Sequence, residues 1–378
     1  MITSKKNLLL TLMLALTLLI SACGVQTPSP QPATEQPEVP AAPEEPVVEE
    51  PAQEPTEEVP AEPAAGPIVV VDVIGREVTL EKPATKLTST HNPTLNAAVV
   101  LGGGGKYLVG FGNKSMSRAL YEQVIEGFEE LPEVGKGSNI NMESVIALGT
   151  DLVILPERHQ DLVPQFEAAN IPVLVILDST ESFDTVRQTL TLLSTALGEE
   201  ARAEKIVTFL DAQLETAETL LKDVTEKPSV VFLGSSSALS VAPGSMIQTS
   251  LIEAGGGVNA VSGVDGVGKF IDVSIEQIIS WNPEVIWIPQ YADYTIDDLL
   301  NDPAWSSISA IQNKRVYVFP SSIEPWDQPT AAVGLGVAWA LHNLHPDLYT
   351  KEALMQNVDE FYTIVYDKTF TAEQLGIE

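Results

Sequence analysis

The sequence predicts an α/β protein of two lobes with mainly parallel sheets, joined by one long helix. Three observations predict it. Short apolar runs at 152–155, 173–177, 230–233, 285–288 and 316–319 alternate with helical stretches, as buried parallel strands with helical crossovers do. One segment recurs at an offset of 133 residues. Between its copies, residues 199–224 contain no Gly or Pro. There Ile206, Phe209, Leu210, Leu214, Ala217, Leu220 and Leu221 fall at three- and four-residue steps, one face of a helix.

At the start of the chain, Lys5 and Lys6 precede an almost wholly apolar run from 8 to 20, then Ser21, Ala22 and Cys23. This is the order of a secretory signal, and about 13 apolar residues are too few for a membrane span. Leu19-Ile20-Ser21-Ala22-Cys23 resembles the bacterial lipobox. That resemblance implies a lipid on Cys23 and an exported body anchored to the outer face of the cytoplasmic membrane. Cys23 is the one cysteine, so no intrachain disulfide can brace the fold. Residues 24–67 carry ten Glu, no Lys or Arg, and many Pro, and read as a disordered tether.

The folded body is expected over 68–378. Residues 69–73 and 78–80 flank Gly75 and suggest an opening hairpin. The repeat divides the remainder of the body. Its first copy runs from Asn141-Met142-Glu143 through Ile146 and Asp151 to Pro156, its second from Ser274-Ile275-Glu276 through Ile279 and Glu284 to Pro289. Each copy reads as a short helix opened by a carboxylate, a turn, and a buried strand ending in proline. The expected divisions are a first ligand-binding lobe at 68–180, a helical connection at 181–226, and a second lobe at 227–378. At ~1.5 Å per residue the long helix spans roughly 39 Å, the scale of a small domain.

The net charge of −32 argues against nucleic acid and anionic lipid surfaces as partners. Gly102-Gly103-Gly104-Gly105 lacks the Lys-Ser or Lys-Thr pair of a phosphate loop and reads as a helix-to-strand turn. No His/Cys spacing marks a metal site, and no nucleophile motif marks an enzyme. No cofactor is expected.

Several motifs, in order and spacing, resemble the class III solute-binding proteins of ABC importers of iron–siderophores, haem and vitamin B12. They are Asp72-Val73-Ile74-Gly75-Arg76, both repeat copies, Glu253-Ala254-Gly255-Gly256-Gly257, Lys314-Arg315-Val316-Tyr317, and the run 334–346 with Trp339 and His345-Pro346. The resemblance implies two Rossmann-like lobes, a backbone helix, and a ligand in the cleft with small closure motions. It also implies that Glu143 and Glu276 pair with arginines on the two permease subunits. The chain departs from the family after Pro93, where Thr94-Leu95-Asn96 replaces the common glutamate, and at 321–329.

Ligands of open α/β sheets bind beyond the carboxyl ends of the strands. That rule selects His91, Asn92, Lys114, Met116, Arg118, Asn139 and Arg158 in the first lobe, and Ser236, Tyr291, Tyr294, Trp326 and Asp327 in the second. His91 offers an imidazole to a metal or an anion; Tyr291 and Tyr294 offer phenolates to ferric iron or faces to a flat chelate. Lys114, Arg118 and Arg158 can neutralise an anion. Trp326, near prolines on both sides, is expected to wall the cleft. The leading expectation for the cargo is an iron chelate (siderophore or haem) or a corrinoid; the alternative is an oxyanion such as molybdate or tungstate, which some members of the family bind. A sensory or adhesion lipoprotein of the same fold is a third reading.

Overall fold

The computed structural model describes residues 66–114 and 118–377. The expected signal segment, Cys23, nearly all of the tether, and Met116 lie outside the described residues.

The body begins with an antiparallel hairpin, β1 (Ile68–Val71) and β2 (Glu77–Leu80). It is pinned by Asp72, whose Oδ1 accepts from the Arg76 N–H at 2.9 Å and whose Oδ2 pairs with the Arg76 guanidinium at 2.7 Å. Then come β3 (Leu87–Thr88), α1 (Asn92–Gly102), α2 (Arg118–Val124), a ribbon of β4 (Gly135–Lys136) and β5 (Asn139–Ile140), α3 (Met142–Ala147), β6 (Leu152–Pro156), α4 (Val163–Ala168) and β7 (Val173–Leu177). Strands β3-β6-β7 form one parallel sheet. Helices α5 (Phe183–Leu197) and α6 (Glu200–Leu221) are next along the chain.

The second half repeats the plan with β8 (Ser229–Phe232), β9 (Ser240–Val241), α7 (Ile247–Ala254), β10 (Val258–Asn259), β11 (Ile271–Asp272), α8 (Ile275–Trp281), β12 (Val285–Pro289), α9 (Ile296–Asn301), α10 (Ser309–Gln312) and β13 (Val316–Phe319). Strands β10-β8-β12-β13 form a second, separate parallel sheet, and β9 pairs with β11 in an antiparallel ribbon. Helices α11 (Val333–Leu344), α12 (Lys351–Tyr366) and α13 (Ala372–Leu375) close the chain.

The strands show why their sequences read as continuous apolar runs. Both faces of each sheet are buried, and side chains alternate between two cores. On β6, Leu152 and Ile154 enter a large central core while Val153 and Leu155 enter an outer one. On β12, Val285 and Trp287 face the central core, Ile286 and Ile288 an outer one.

The central core belongs to both halves at once. It joins residues of β6 and β7 to residues of β8, β12 and β13 through α1, α5, α6, α7, α11 and α12. The long helix expected over 199–224 is α6, ending three residues earlier. It does not stand alone as a strut. It packs on α5 from the first half and on α7, α11 and α12 from the second. The Phe209 and Phe361 rings lie 5.3 Å apart across the α6–α12 contact.

Two glycines are fixed by close approach. The four-glycine run is a helix stop, as expected: Gly103 caps α1 in the left-handed region, and a Cβ on Gly104 would lie 2.2 Å from the Val124 carbonyl oxygen. A Cβ on Gly336 would lie 2.4 Å from the Trp326 carbonyl oxygen, so α11 holds the 324–327 loop only because this position is bare.

Because the halves share one core, they are expected to unfold together. Phe209→Ala should cost about 3–5 kcal/mol. Urea unfolding followed by tryptophan fluorescence and by far-UV circular dichroism should stay one coincident transition; two separated transitions would show independent lobes.

Candidate functional site

The loops after β3, β6 and β7 in the first half and after β12 and β13 in the second bring a set of polar residues together. His91 precedes α1, and Pro93 sits in its first turn, where a missing N–H costs nothing. His91 is 8% exposed, and its Nε2 lies 2.5 Å from Arg158 Nη2. A guanidinium only donates, so Nε2 accepts and the imidazole proton sits on Nδ1. Burial, then the neighbouring Arg158 and His159, hold the His91 pKa well below the ordinary histidine value. The ring is therefore a neutral donor. His159 meets it edge-on at 6.0 Å, with its own pKa lowered by burial and by Arg158.

Asp327 is the counterpart across the cleft. It is fully buried, and its Oδ2 accepts from the Tyr291 hydroxyl at 2.8 Å. Burial pushes its pKa up to about 6, against the stabilising hydrogen bond from Tyr291. Gln248 at the start of α7 donates at 2.8 Å to the Asp327 carbonyl oxygen. Deeper in, Glu324 accepts from Asn96 Nδ2 at 3.2 Å, and burial raises its pKa to about 7.

Glu181, in the loop after β7, joins the two sides. Its N–H donates to the Ser245 carbonyl oxygen at 3.2 Å, just before the first turn of α7. Burial raises its pKa, while Arg158 opposes and Asp327 adds to the rise. Glu181 thus lies within electrostatic reach of both Arg158 from the first half and Asp327 from the second.

Buried polar atoms in folded proteins are nearly always paired. Here a group of them has no protein partner. On the donor side are His91 Nδ1 and Asn92 Nδ2; on the acceptor side are Asn96 Oδ1, Gln248 Oε1, Glu324 Oε1 and Asp327 Oδ1. Donors cluster at the start of α1, and the carboxylates come from the 324–327 loop.

The structure separates the sequence-predicted residues. It brings together His91, Asn92, Arg158, Tyr291 and Asp327. It sends others elsewhere. Trp326, expected as a cleft wall, is 1% exposed and buried, its indole N–H donating to the Tyr362 hydroxyl at 3.1 Å. The flanking prolines fix the loop but not the direction of the ring. Tyr294 donates to the Gly234 carbonyl oxygen at 2.7 Å, and burial pushes its pKa up, against a phenolate. Lys114 donates to the Phe128 and Glu129 carbonyl oxygens, each at 2.9 Å, and Arg118 pairs with Glu122 and Glu129; both charges are spent within their own lobe. Ser236 is exposed in the loop after β8. Asn139 lines a surface cavity of about 680 Å³ shared with Glu143. Asn96, Glu181 and Gln248 join this candidate site and were not among the residues selected from the sequence. Asn96 stands one turn after Asn92 in a helix whose one further polar side chain is Thr94, which was a signal. Glu181 lies beyond the carboxyl end of β7, where the strand-end rule also points.

Glu143 and Glu276 occupy the same place in equivalent helices, second after the caps Asn141 and Ser274, and both are exposed. The other matched acids are structural. Asp151 accepts from the Thr85 and Lys86 N–H groups, and Glu284 from the Ser229 N–H at 2.8 Å, each fastening a neighbouring strand.

A family model described as periplasmic binding protein matches residues 90–323. This chain belongs to the periplasmic binding proteins. Within them it falls in the class III group with the siderophore, haem and vitamin B12 types. As a periplasmic binding protein it is a non-enzymatic, substrate-binding component of an ABC transporter. It is 23% identical over 324 residues to the molybdate-binding protein MolA of Haemophilus influenzae, covering 80% of this chain and 92% of that one. The structure of MolA bound to molybdate superposes with a TM-score of 0.71 at 21% identity, covering 80% of this chain and 99% of MolA. An uncharacterised ABC transporter substrate-binding lipoprotein of Bacillus subtilis, YvrC, is 24% identical and covers 80% of this chain and 87% of its own. A periplasmic solute-binding protein from Veillonella parvula gives a TM-score of 0.72 at 23% identity, covering 82% and 95%. Among the described residues no helix is long and apolar enough to cross a membrane.

The buried acids set a pH signature. Glu324 keeps its proton up to about pH 7 in the fold but only to 4.5 when exposed. The folded state binds more protons in that window, so stability falls as pH rises through it. Relative to the parent protein, Glu324→Gln should melt higher at about pH 8, with the two curves converging below 4.5. Calorimetry at several pH values checks this; a pH-independent difference would refute it.

Proposed function

We propose that this periplasmic binding protein captures a small oxyanion of the molybdate or tungstate type in its interlobe cleft. It is exported, held to the outer face of the membrane by a lipid on Cys23, and docks on its permease through Glu143 and Glu276. One observation carries the cargo assignment: the buried donors His91 Nδ1 and Asn92 Nδ2, at the start of α1 beside the Arg158 guanidinium, have no protein partner, and neither do the carboxyl oxygens Glu324 Oε1 and Asp327 Oδ1 of the other lobe. The first set suits a compact anion. Asp327 and Glu181 hold their protons more tightly than ordinary acids and, once protonated, add O–H donors. A flat macrocycle would need aromatic walls, and with Trp326 buried and Tyr294 tied to Gly234, Tyr291 is the candidate aromatic with appreciable exposure, at 39%.

Titration calorimetry of the purified protein with molybdate, tungstate and sulfate tests the cargo. Molybdate or tungstate should bind, and Arg158→Ala should weaken binding by at least about tenfold. Affinity should rise as pH falls toward about 6, because Asp327 then loses its negative charge, and Asp327→Asn should flatten that dependence. No heat from either oxyanion, together with a Soret, corrinoid or iron charge-transfer band in protein from the host, would assign a chelate instead.

Docking is tested separately. Glu143→Ala with Glu276→Ala should abolish uptake in whole cells while leaving calorimetric binding unchanged; unaltered uptake removes the docking role. Labelled palmitate should enter the parent protein and not Cys23→Ala.

A further inference from the structure

The two halves agree most closely at two exposed positions, and one of them is apolar. Helices α3 and α8 can be laid over each other at the offset of 133 residues. Each comes after an antiparallel ribbon, β4–β5 in one half and β9–β11 in the other. Each buries one residue fully at the same place, Val145 and Ile278. The exposed caps differ, Asn141 against Ser274, and so do Ala147 and Ser280. Glu143 matches Glu276, and three residues later Ile146 matches Ile279.

Those isoleucines are not core residues. Ile146 is 55% exposed and Ile279 36% exposed. A single exposed isoleucine is ordinary on a protein surface. The same isoleucine exposed twice, each time one turn beyond the same acid, is not explained by packing, because the helix seats itself on Val145 or Ile278 instead. Residues three apart lie on one helix face. Each lobe therefore presents a carboxylate and an aliphatic side chain side by side.

We infer that Ile146 and Ile279 are the apolar halves of a docking footprint that fits a partner made of two equivalent subunits, each offering a cation beside an apolar socket. This rests on the proposed docking through Glu143 and Glu276. The occupant is the permease of the importer: the duplication calls for a partner that offers the same contact twice, and the two exposed acids call for a cation at each. Beside Glu143 the surface cavity of about 680 Å³, with Ile140, Met142 and Glu133 in its wall, gives an inserted side chain room. The carboxylates steer the encounter, and the isoleucines exclude water around the ion pairs once the surfaces meet.

Photo-crosslinking in the host tests this on the full-length chain. Benzoylphenylalanine is placed singly at 146 and 279, at 143 and 276, and at Val69, which is 53% exposed on the opening hairpin. Adducts are identified by mass spectrometry. Positions 146 and 279 should both yield adducts with the membrane-spanning subunit of an ABC importer, and Val69 none. Ile146→Ser with Ile279→Ser should weaken binding to that purified permease by at least about tenfold, with an unchanged melting temperature. Adducts from 143 and 276 alone, with permease affinity unaltered in the serine variant, would overturn the apolar footprint and leave the glutamate docking standing. An adduct from one lobe only would overturn the two-fold match. No permease adduct from any of the four positions would overturn both.

Discussion

The shared apolar layer between the two sheets is the constraint on which the rest of this protein depends. Leu152 and Ile154 of one sheet, Val285 and Trp287 of the other, and the helices α5, α6, α11 and α12 lie in a single cluster. A hinge that opened widely would have to expose part of that layer to water, at roughly 25 cal/mol for each Å² of apolar surface. The lobes are thus held at a nearly fixed distance, and the cleft between them is a preorganised site. Preorganisation reduces what binding costs in ordering side chains and loops.

That rigidity explains why polar groups can be left without protein partners. His91 and Asn92 are anchored at the start of α1, and Asp327 is held by Tyr291 and Gln248. None can swing out to solvent to satisfy itself. The charge pattern is mixed: one guanidinium, neutral imidazoles, and acids whose pKa values burial has raised. Such a site can adjust its charge by moving a proton, and in that respect it differs from a rigidly cationic pocket.

Much of the fold was legible in sequence because it is written in periodicity. Strands buried on both faces are continuous apolar runs, and β7 and β13 fall where those runs predict. The repeat was legible because the second half reuses the acid, the exposed isoleucine and the proline-ended strand of the first. The site was only partly legible. His91, Arg158, Tyr291 and Asp327 lie beyond strand ends, where a general rule looks for them. Asn96 and Gln248 lie within helices rather than in strand-end loops, and only packing turns them toward the cleft. Lys114, Arg118, Tyr294 and Trp326 were misdirected for the converse reason. Their loops are in the right region, but nearby carbonyls, acids and the core claim their side chains, and no local pattern records that choice.

The alternation of side chains along β6 and β12 has a mechanical consequence. Val145 of α3 sits in the same outer core as Val153 and Leu155 of β6, and Ile278 of α8 sits with Ile286 and Ile288 of β12. The same strands carry Arg158 and Tyr291 just past their prolines. In each lobe, five residues of extended backbone form a stiff pushrod between the outer helix and the loop at the cleft. A force applied at the outer helices need not travel through a hinge; a small tilt of either rod would loosen the grip at its far end.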